Sequence, residues 1–464
     1  MSRFDDTIVA LSTAPISNSG ALAIVRVSGG STRAVIKRIT GGVPEARTAT
    51  FKQFYDYNKE RFDSGILLFF ESPKSFTGED LAEFHIHGSD AVVEILIESC
   101  LKCSNSEALI RHARPGEFSE RAFLNGKIDL AQAEAISELI GAKSRNVVKA
   151  LNRILSGEYG EKINNLGKDI LKIRSEVEVQ IDFSAEDVGS FQAVRCKKSI
   201  DNICSELNQL IKQGKEGKKL NQVFKVVIAG PPNVGKSSLL NTFLNENRAI
   251  VNSNAGTTRD LIKSELILAK CIIELSDTAG FRETKDPVEK EGIKRTFDAC
   301  KNADLILFLL DRNCYKKKFG IDWLQLVKTL EKYTKVFIII NKTDTTSRKN
   351  LLSHKQKEHQ FIYGTSTKTR RGLDDLKIAI EEVFASEQLQ NERTDALSLN
   401  QRSLSNMGTC VKYLQSAKKN LKELKFDLLA EDLKVGHAKL FEITGNVTSE
   451  DVLSKIFSSF CIGK

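Results

Sequence analysis

The stretch "VVIAGPPNVGKSSLLNTFL" at residues 226–244 constrains this chain more than any other. It joins an apolar run, a Gly-x4-Gly-Lys-Ser turn and the start of an amphipathic helix. The spacing has a physical reason. Gly230 and Gly235 let backbone N–H groups wrap phosphates at a helix N-terminus, and Lys236 neutralises the outer phosphates. The hydroxyl of Ser237, with Ser238 beside it, reaches the accompanying Mg²⁺. A plain glycine-rich turn is the bland alternative, and the strand and helix flanks speak against it.

Three later stretches, in order, narrow the nucleotide to GTP. "LSDTAG" (275–280) ends a strand-like run with Asp277 on the Mg²⁺ side and with Gly280, whose N–H can meet the γ-phosphate. "FIIINKTD" (337–344) puts Asn341, Lys342 and Asp344 at the end of a buried run. The Asp344 carboxylate can accept from the ring N–H and the amine of guanine together, a donor pair that adenine lacks. "TSTK" (365–368) supplies Ser366 and Thr367 in a turn whose Thr367 N–H can reach guanine O6. "NAGTTRD" (254–260) falls where a switch loop belongs, and Thr258, in preference to Thr257, is expected to complete the Mg²⁺ shell. Many GTPases orient the attacking water with a glutamine after the Asp-x-x-Gly element. Here Phe281 holds that position, leaving Glu283, Asp286, Glu289 and Glu291 as candidates and Arg259 and Arg282 as unassigned cations.

The chain of 464 residues is too long for one core, and 41% hydrophobic with 28% charged residues is ordinary globular composition. Its longest apolar runs, Leu305–Leu310 and Val336–Ile340, fall far short of the roughly 20 residues that cross a bilayer. The N-terminus shows neither a secretory nor a transit pattern, and the expectation is a cytoplasmic protein without a membrane partner. Nine scattered cysteines fit reduced thiols, and Cys100-Leu-Lys-Cys103 lacks the second pair that a zinc site would want. A net charge of +9 permits a polyanionic partner. Residues 1 to about 120 read as α+β. Helical stepping follows at Ile163, Leu166, Ile170, Ile173 and Val177, and at Ile200, Ile203, Leu207 and Leu210. "KQGKEGKKLNQ" (212–222) reads as a linker, and the stepping returns at Leu404, Met407, Val411, Leu414, Ala417, Leu421 and Leu424. The simplest architecture is a helical domain interrupted by an inserted α/β domain. Glu83, His85 and His87 alternate along one strand face, as a metal site or a polar pocket wall would; His87 can also cap the Gly88 turn.

Long stretches outside the nucleotide motifs resemble one family. "DTIVALSTAP" (6–15), "SFTGEDLAEFHIHG" (75–88), "RPGEFSERAFLNGKIDLAQAEAI" (114–136) and the terminal "FSSFCIGK" are similar to those of tRNA-modification GTPases of the MnmE (TrmE) type. The resemblance implies a multidomain α+β and α/β chain. Its parts are an N-terminal folate-binding and dimerisation domain (1–122), a helical domain in two parts (123–220 and 386–464), and an inserted Ras-like GTPase domain (221–385). It implies that Glu289 polarises water, and that K⁺ takes the place of an arginine finger. The K⁺ ligands would be Asn233 and the loop carrying Asn252, Asn254 and Thr257. It places a 5-formyl- or 5,10-methylene-tetrahydrofolate against Arg26, Glu83, Lys127 and Lys464, and brings Cys461, at the chain's tip, close to the one-carbon chemistry. The implied activity is K⁺-stimulated GTP hydrolysis by a homodimer. With a flavoprotein of the MnmG (GidA) type in a heterotetramer, it would add an aminomethyl or carboxymethylaminomethyl group at C5 of the wobble uridine of tRNA. Pro231 stands where arginine is often found, and Ser89 where a second glycine is frequent. A ribosome-assembly GTPase without one-carbon chemistry is the alternative, but no GxxG loop of a KH module follows the GTPase region. A membrane-remodelling GTPase would want a lipid-binding tip, which the sequence lacks.

Overall fold

The computed structural model describes residues 6–13, 20–106, 108–142, 144–182, 193–219, 223–246, 263–268, 271–277, 294, 296–311, 323–345, 361–389 and 396–463. Two compact units emerge. One is formed by Met1–Gly141, Leu151–Lys212 and Leu399–Lys464, the other by Ala142–Ala150 and Gln213–Ser398.

The first unit opens with six strands and three helices. These are β1 (Asp6–Leu11), β2 (Leu22–Ser28), α1 (Thr32–Thr40), β3 (Thr50–Tyr55), β4 (Arg61–Phe70), β5 (Leu81–His87), α2 (Asp90–Leu101), β6 (Leu109–His112) and α3 (Glu117–Leu124). The sheet order is β3-β4-β5-β2-β1-β6, antiparallel except for the parallel β1–β6 pair. Alternation sends Val9, Val25, Val27, Leu67, Phe84 and Ile86 into one core with Val35, Ile36 and Ile39 of α1 and Leu96 of α2. On the other face α3 covers the β1 side, where Phe118 packs with Ile8, Ala10 and Ala113. Cys100 and Cys103 join the apolar core, where burial pushes both thiols up, and Cys103 Sγ faces Ser99 O at 3.3 Å. Among the described residues no group of three or more His, Cys, Asp or Glu could hold a metal ion, so neither this pair nor the Glu83–His87 strand is a described metal site.

Beneath α3 lies a buried ionic brace. Arg121, fully buried, donates to Asp6 Oδ1 (2.7 Å), Glu117 Oε1 (3.1 Å) and both oxygens of Glu79 (3.2 and 3.3 Å). Arg111 spans Asp6 and Glu117, and Ser28 Oγ donates to Glu79 at 2.9 Å. Burial works to raise the Glu117 pKa, but the hydrogen bonds from Arg111, Arg114 N–H and Arg121 prevail and hold it at about 2.

Helices α4 (Leu130–Ile140), α5 (Arg145–Leu155), α6 (Glu158–Asp182) and α7 (Ala193–Lys219) follow. A capping box of Asp129 and Gln132 starts α4. The buried stripe of α6 is the expected one, Ile163, Leu166, Ile170, Ile173 and Val177. The stretch expected to be a linker differs, because residues 212–219 continue α7 as helix. Its lysines and glutamate favour helix, and Gly217 is retained for packing: a Cβ there would overlap Leu397 O, while Leu397 N–H donates to Gln213 O at 3.3 Å.

The second unit is built on β7 (Val223–Ala229), α8 (Lys236–Glu246), β8 (Lys263–Ile267), β9 (Ile272–Asp277), β10 (Leu305–Asp311), α9 (Trp323–Leu330), β11 (Lys335–Asn341), β12 (Phe361–Gly364) and α10 (Leu373–Leu389). The strand order is β12-β11-β10-β7-β9-β8, parallel except for β8 against β9. Successive residues of β10 serve two cores. Leu305, Leu307 and Leu309 pack with Phe243 of α8 and Ile380 and Phe384 of α10. Ile306, Phe308 and Leu310 pack with Trp323 and Val327 of α9.

The chain then returns to the first unit through α11 (Gln401–Lys422), α12 (Phe426–Thr444) and α13 (Glu450–Ser458). Arg402 Nε and Nη2 grip both oxygens of Glu134 on α4 (2.9 and 2.8 Å), and Nη2 also donates to Ile443 O near the end of α12 (3.2 Å). The helical domain is therefore split by the insertion, as expected. Leu424 departs from the expected stripe: α11 ends at Lys422, and Leu424 is exposed with φ +54. Among the described residues no helix is long and apolar enough to cross a membrane.

Candidate functional site

The phosphate loop runs from the C-terminal end of β7 to the first turn of α8, at the centre of the parallel sheet. Neighbouring strands on either side there leave a crevice, where α/β sheets bind ligands. Two glycines are needed for steric reasons. A Cβ at Gly230 (φ +139) would overlap Leu309 O, and one at Gly235 (φ +99) would stand 2.5 Å from Asn341 Nδ2. Asn233 takes a left-handed φ of +64. Lys236, nearly buried, donates to Pro231 O (2.8 Å) and Gly230 O (3.3 Å), so its ammonium already lies within the loop. Ser237 and Ser238 follow on the exposed side of α8.

The base-recognition elements are fastened to this loop. The Asn341 Nδ2 donates to Val234 O at 2.9 Å, and its Oδ1 accepts from Thr367 N–H at 3.4 Å. Lys342, with φ +61, donates to Asn233 O at 2.7 Å. Ser366 Oγ donates to Asp344 Oδ1 at 2.7 Å, and this bond leads the causes that hold the exposed Asp344 carboxylate below its ordinary range. Loop and base motifs thus form one hydrogen-bonded assembly at the strand ends. The backbone of Asp277 closes β9 beside it. Gly280, Asn252, Asn254, Thr257, Thr258 and Glu289 lie outside the described residues, as does Lys464. The sequence motifs named the members of this site. The bonds from Lys342 to Asn233 and from Ser366 to Asp344 join residues far apart in sequence, and no local signal announces them.

In the first unit, Arg26 and Glu83 are register partners on β2 and β5, with Nε 2.7 Å from Oε1 and both side chains mostly buried. His85, two residues on, puts Nε2 3.7 Å from Glu83 Oε2. That nitrogen is buried without a hydrogen-bond partner. His87 does not cap the Gly88 turn with its ring: its N–H and Nδ1 both meet Asp63, at 2.9 and 2.7 Å. Lys127 Nζ donates to Pro73 O at 2.9 Å, and its stem packs by Gly78. The loop it touches returns to β2 through Thr77 and Glu79, both bonded to Ser28. Arg26 and Glu83 thus meet directly, whereas the contacts of Lys127 lead through that loop to Ser28 of β2. His85 enters as a residue whose role sequence reading left open. Cys461 is exposed, and its carbonyl accepts from Gly116 N–H at 3.3 Å.

Residues 7–127 match the family model described as GTP-binding protein TrmE N-terminus, and residues 130–461 that of the MnmE helical domain. A tRNA modification GTPase MnmE from Psychromonas ingrahamii is 40% identical over 461 residues, covering 99% of each chain. One from Coxiella burnetii is 39% identical over 462 residues, and one from Legionella pneumophila 39% over 461, again with 99% of each chain covered. Among solved structures, the G domain of the T. maritima FeoB iron transporter is 23% identical and covers 35% of this chain and 99% of that one, at a TM-score of 0.28. With two family models spanning nearly its whole length and relatives aligned end to end, this chain belongs to the MnmE family of tRNA modification GTPases.

Proposed function

We propose that the chain is a cytoplasmic, homodimeric, K⁺-stimulated GTPase. It acts with a flavoprotein of the MnmG (GidA) type, in a heterotetramer, to add an aminomethyl or carboxymethylaminomethyl group at C5 of the wobble uridine of certain tRNAs. The one-carbon unit comes from a 5-formyl- or 5,10-methylene-tetrahydrofolate. The observation that carries this reading is the polar pair Arg26–Glu83 on the sheet face turned away from α1 and α2, with His85 Nε2, which has no hydrogen-bond partner among the described residues, beside it. An uncommitted buried nitrogen next to a carboxylate suits a heterocycle that offers both donors and acceptors. That face also carries Leu22, Ile66 and Phe51, exposed by 54%, 42% and 71%, the apolar surface that a second copy would cover.

In the nucleotide site Lys236 neutralises the phosphates, Ser237 and Thr258 hold Mg²⁺, and Asp344 selects guanine. The side chain of Asn233, exposed and without a partner among the described residues, suits a K⁺ ligand, with the 252–257 loop completing the shell. Glu289 orients the water in place of the missing glutamine. GTP turnover drives opening and closing of facing GTPase domains, and so gates the modification chemistry.

Two measurements test the reading. Mass spectrometry of tRNA nucleosides from cells lacking the gene should show the C5-aminomethyl-type uridines gone, and an unchanged profile would sink the modification. Purified protein should hydrolyse GTP faster in potassium than in sodium, as a dimer. Equal rates from a monomer would remove both the ion and the second copy from the account.

A further inference from the structure

The long helices of the first unit form a ring. α6 and α12 run antiparallel, with Thr444 Oγ1 donating to Asn164 Oδ1 (3.0 Å) and Gly167 packed on the Phe441 ring. α12 and α11 run antiparallel through Asn420–Asp432 (2.8 Å) and Asn406–Glu442 (3.1 Å). α7 turns back along α6 and closes the ring: Glu206 lies 3.6 Å from Lys162 of α6, and Lys418 of α11 donates to Asp201. α7 and α11 are thus neighbours of opposite direction. Charge is handled differently on the two sides. On α6 and α12, cations have acids one turn away: Lys172–Asp169 (3.2 Å), Arg174–Glu178 (2.8 Å), Lys434–Glu431 (3.3 Å) and Lys439–Glu442 (2.6 Å). α11 has no aspartate or glutamate from Gln401 to Lys422. From Ala193 to Lys212 of α7 the acids are Asp201 and Glu206, both engaged in the cross-helix bonds above.

Asp201 marks the edge of α7 that faces α11, and Lys197 and Lys212 share that edge at helical spacing, with Lys198 beside them. Lys418 marks the matching edge of α11, which Lys422 shares, with Lys412 and Lys419 next to it. These lysines are exposed. Lys419 lies 4.0 Å from Glu423, and the others have no ion-pair partner among the described residues. Like charges side by side repel, so such a stripe calls for a polyanion. The exposed residues between the lysines are Asn202, Ser205, Asn208 and Gln209 of α7 and Gln415 and Ser416 of α11. A protein interface has an apolar core and few lysines, whereas Lys, Asn, Gln and Ser are the groups that meet phosphate oxygens. We propose that the α7–α11 face holds the phosphate backbone of the tRNA. From Lys198 to Lys212 the face is about 21 Å long, enough to meet several phosphates in succession. The inference rests on the reading of tRNA as the substrate, and adds the surface that receives it.

The test uses the full chain with its flavoprotein partner and a tRNA bearing a wobble uridine, with binding read by fluorescence anisotropy over a salt series. Lys412→Gln, Lys419→Gln and Lys422→Gln combined should weaken binding about 10-fold at about 0.15 M salt, and flatten the slope of log affinity against log salt by about 2. Lys197→Gln with Lys198→Gln, on the other helix, should act in the same direction. Arginine at the same positions should restore both affinity and slope. Lys168→Gln, Lys172→Gln and Lys434→Gln combined remove as much charge from the other side of the ring, and should change affinity by less than about 2-fold. An equal loss on both sides overturns the proposal, because net charge alone then attracts the RNA. Native affinity and slope in the α11 triple variant overturn it as well. So does a triple variant that keeps its tRNA but no longer co-elutes with the flavoprotein, which makes the face a protein-docking surface. A complex that binds tRNA through these lysines and leaves its wobble uridine unmodified sinks the modification reading, and the face stands.

Discussion

Each unit is built on a six-stranded sheet, and the two sheets hold their polar residues in opposite ways. The sheet of β7–β12 is parallel but for one pair and covered on both faces, so its central strands β7, β10 and β11 are almost wholly apolar and its working groups stand in the loops at the strand ends. The sheet of β1–β6 is largely antiparallel; among the described residues α1 and α2 fill one face and α3 lies over the β1 side of the other, so Arg26, Glu83 and His85 project from the strands themselves. Closure on both faces leaves room for chemistry only at a rim, while an open face lets the strands carry it. The open sheet needs another source of rigidity, and the Arg121 brace under α3 supplies it.

That contrast can be broken at specific places. Arg121→Met should cost the first unit about 3–5 kcal/mol, because Asp6, Glu79 and Glu117 lose a buried cation, as read by chemical unfolding. A loss below about 1 kcal/mol, the scale of an exposed pair, would mean that the brace is ornamental. Acid probes the same brace. The folded-state pKa of Glu117 is depressed from 4.5 to about 2, so its contribution is complete above about pH 4.5 and fades as pH falls towards 2. Stability measured down that range should drop, and Glu117→Gln should flatten the drop. At the rim, Lys236→Ala should cut GTP turnover about 10²- to 10³-fold while the stability of the β1–β6 sheet stays put. Asp344→Asn should weaken GTP about 10- to 100-fold and favour xanthosine triphosphate, which offers the complementary ring groups, in a competition assay. The smallest effect is expected at Leu424, where glycine in the left-handed position after α11 should stabilise the helical part by about 1 kcal/mol in thermal unfolding.

The rim was legible in the sequence because loops that meet phosphate and guanine need fixed residue types at fixed spacing. Gly230, Lys236, Asn341 and Asp344 could be named without a fold. The helical stripes were legible for a similar reason, since burial recurs every three or four residues until a helix stops. Leu424 shows the limit: the stripe continues one step past the last helical turn, and nothing in the pattern announces the end. The stretch expected as a linker misled over 212–219, because charged residues suit both a linker and an exposed helix. The open-face site was only half visible. Alternation placed Glu83, His85 and His87 on one strand face, but Arg26 reached Glu83, and His87 reached Asp63, through strand register that local sequence does not encode.

The grip of Arg402 on Glu134 and on the end of α12 has a consequence for how this molecule tolerates breakage. The pieces before and after the GTP-binding insertion are clasped to each other, not merely strung on one polypeptide. A protease that severs the chain inside the insertion should leave a nicked particle whose halves migrate together, and two separately expressed fragments should find each other. The insertion is then an exchangeable cassette on a frame that closes without it.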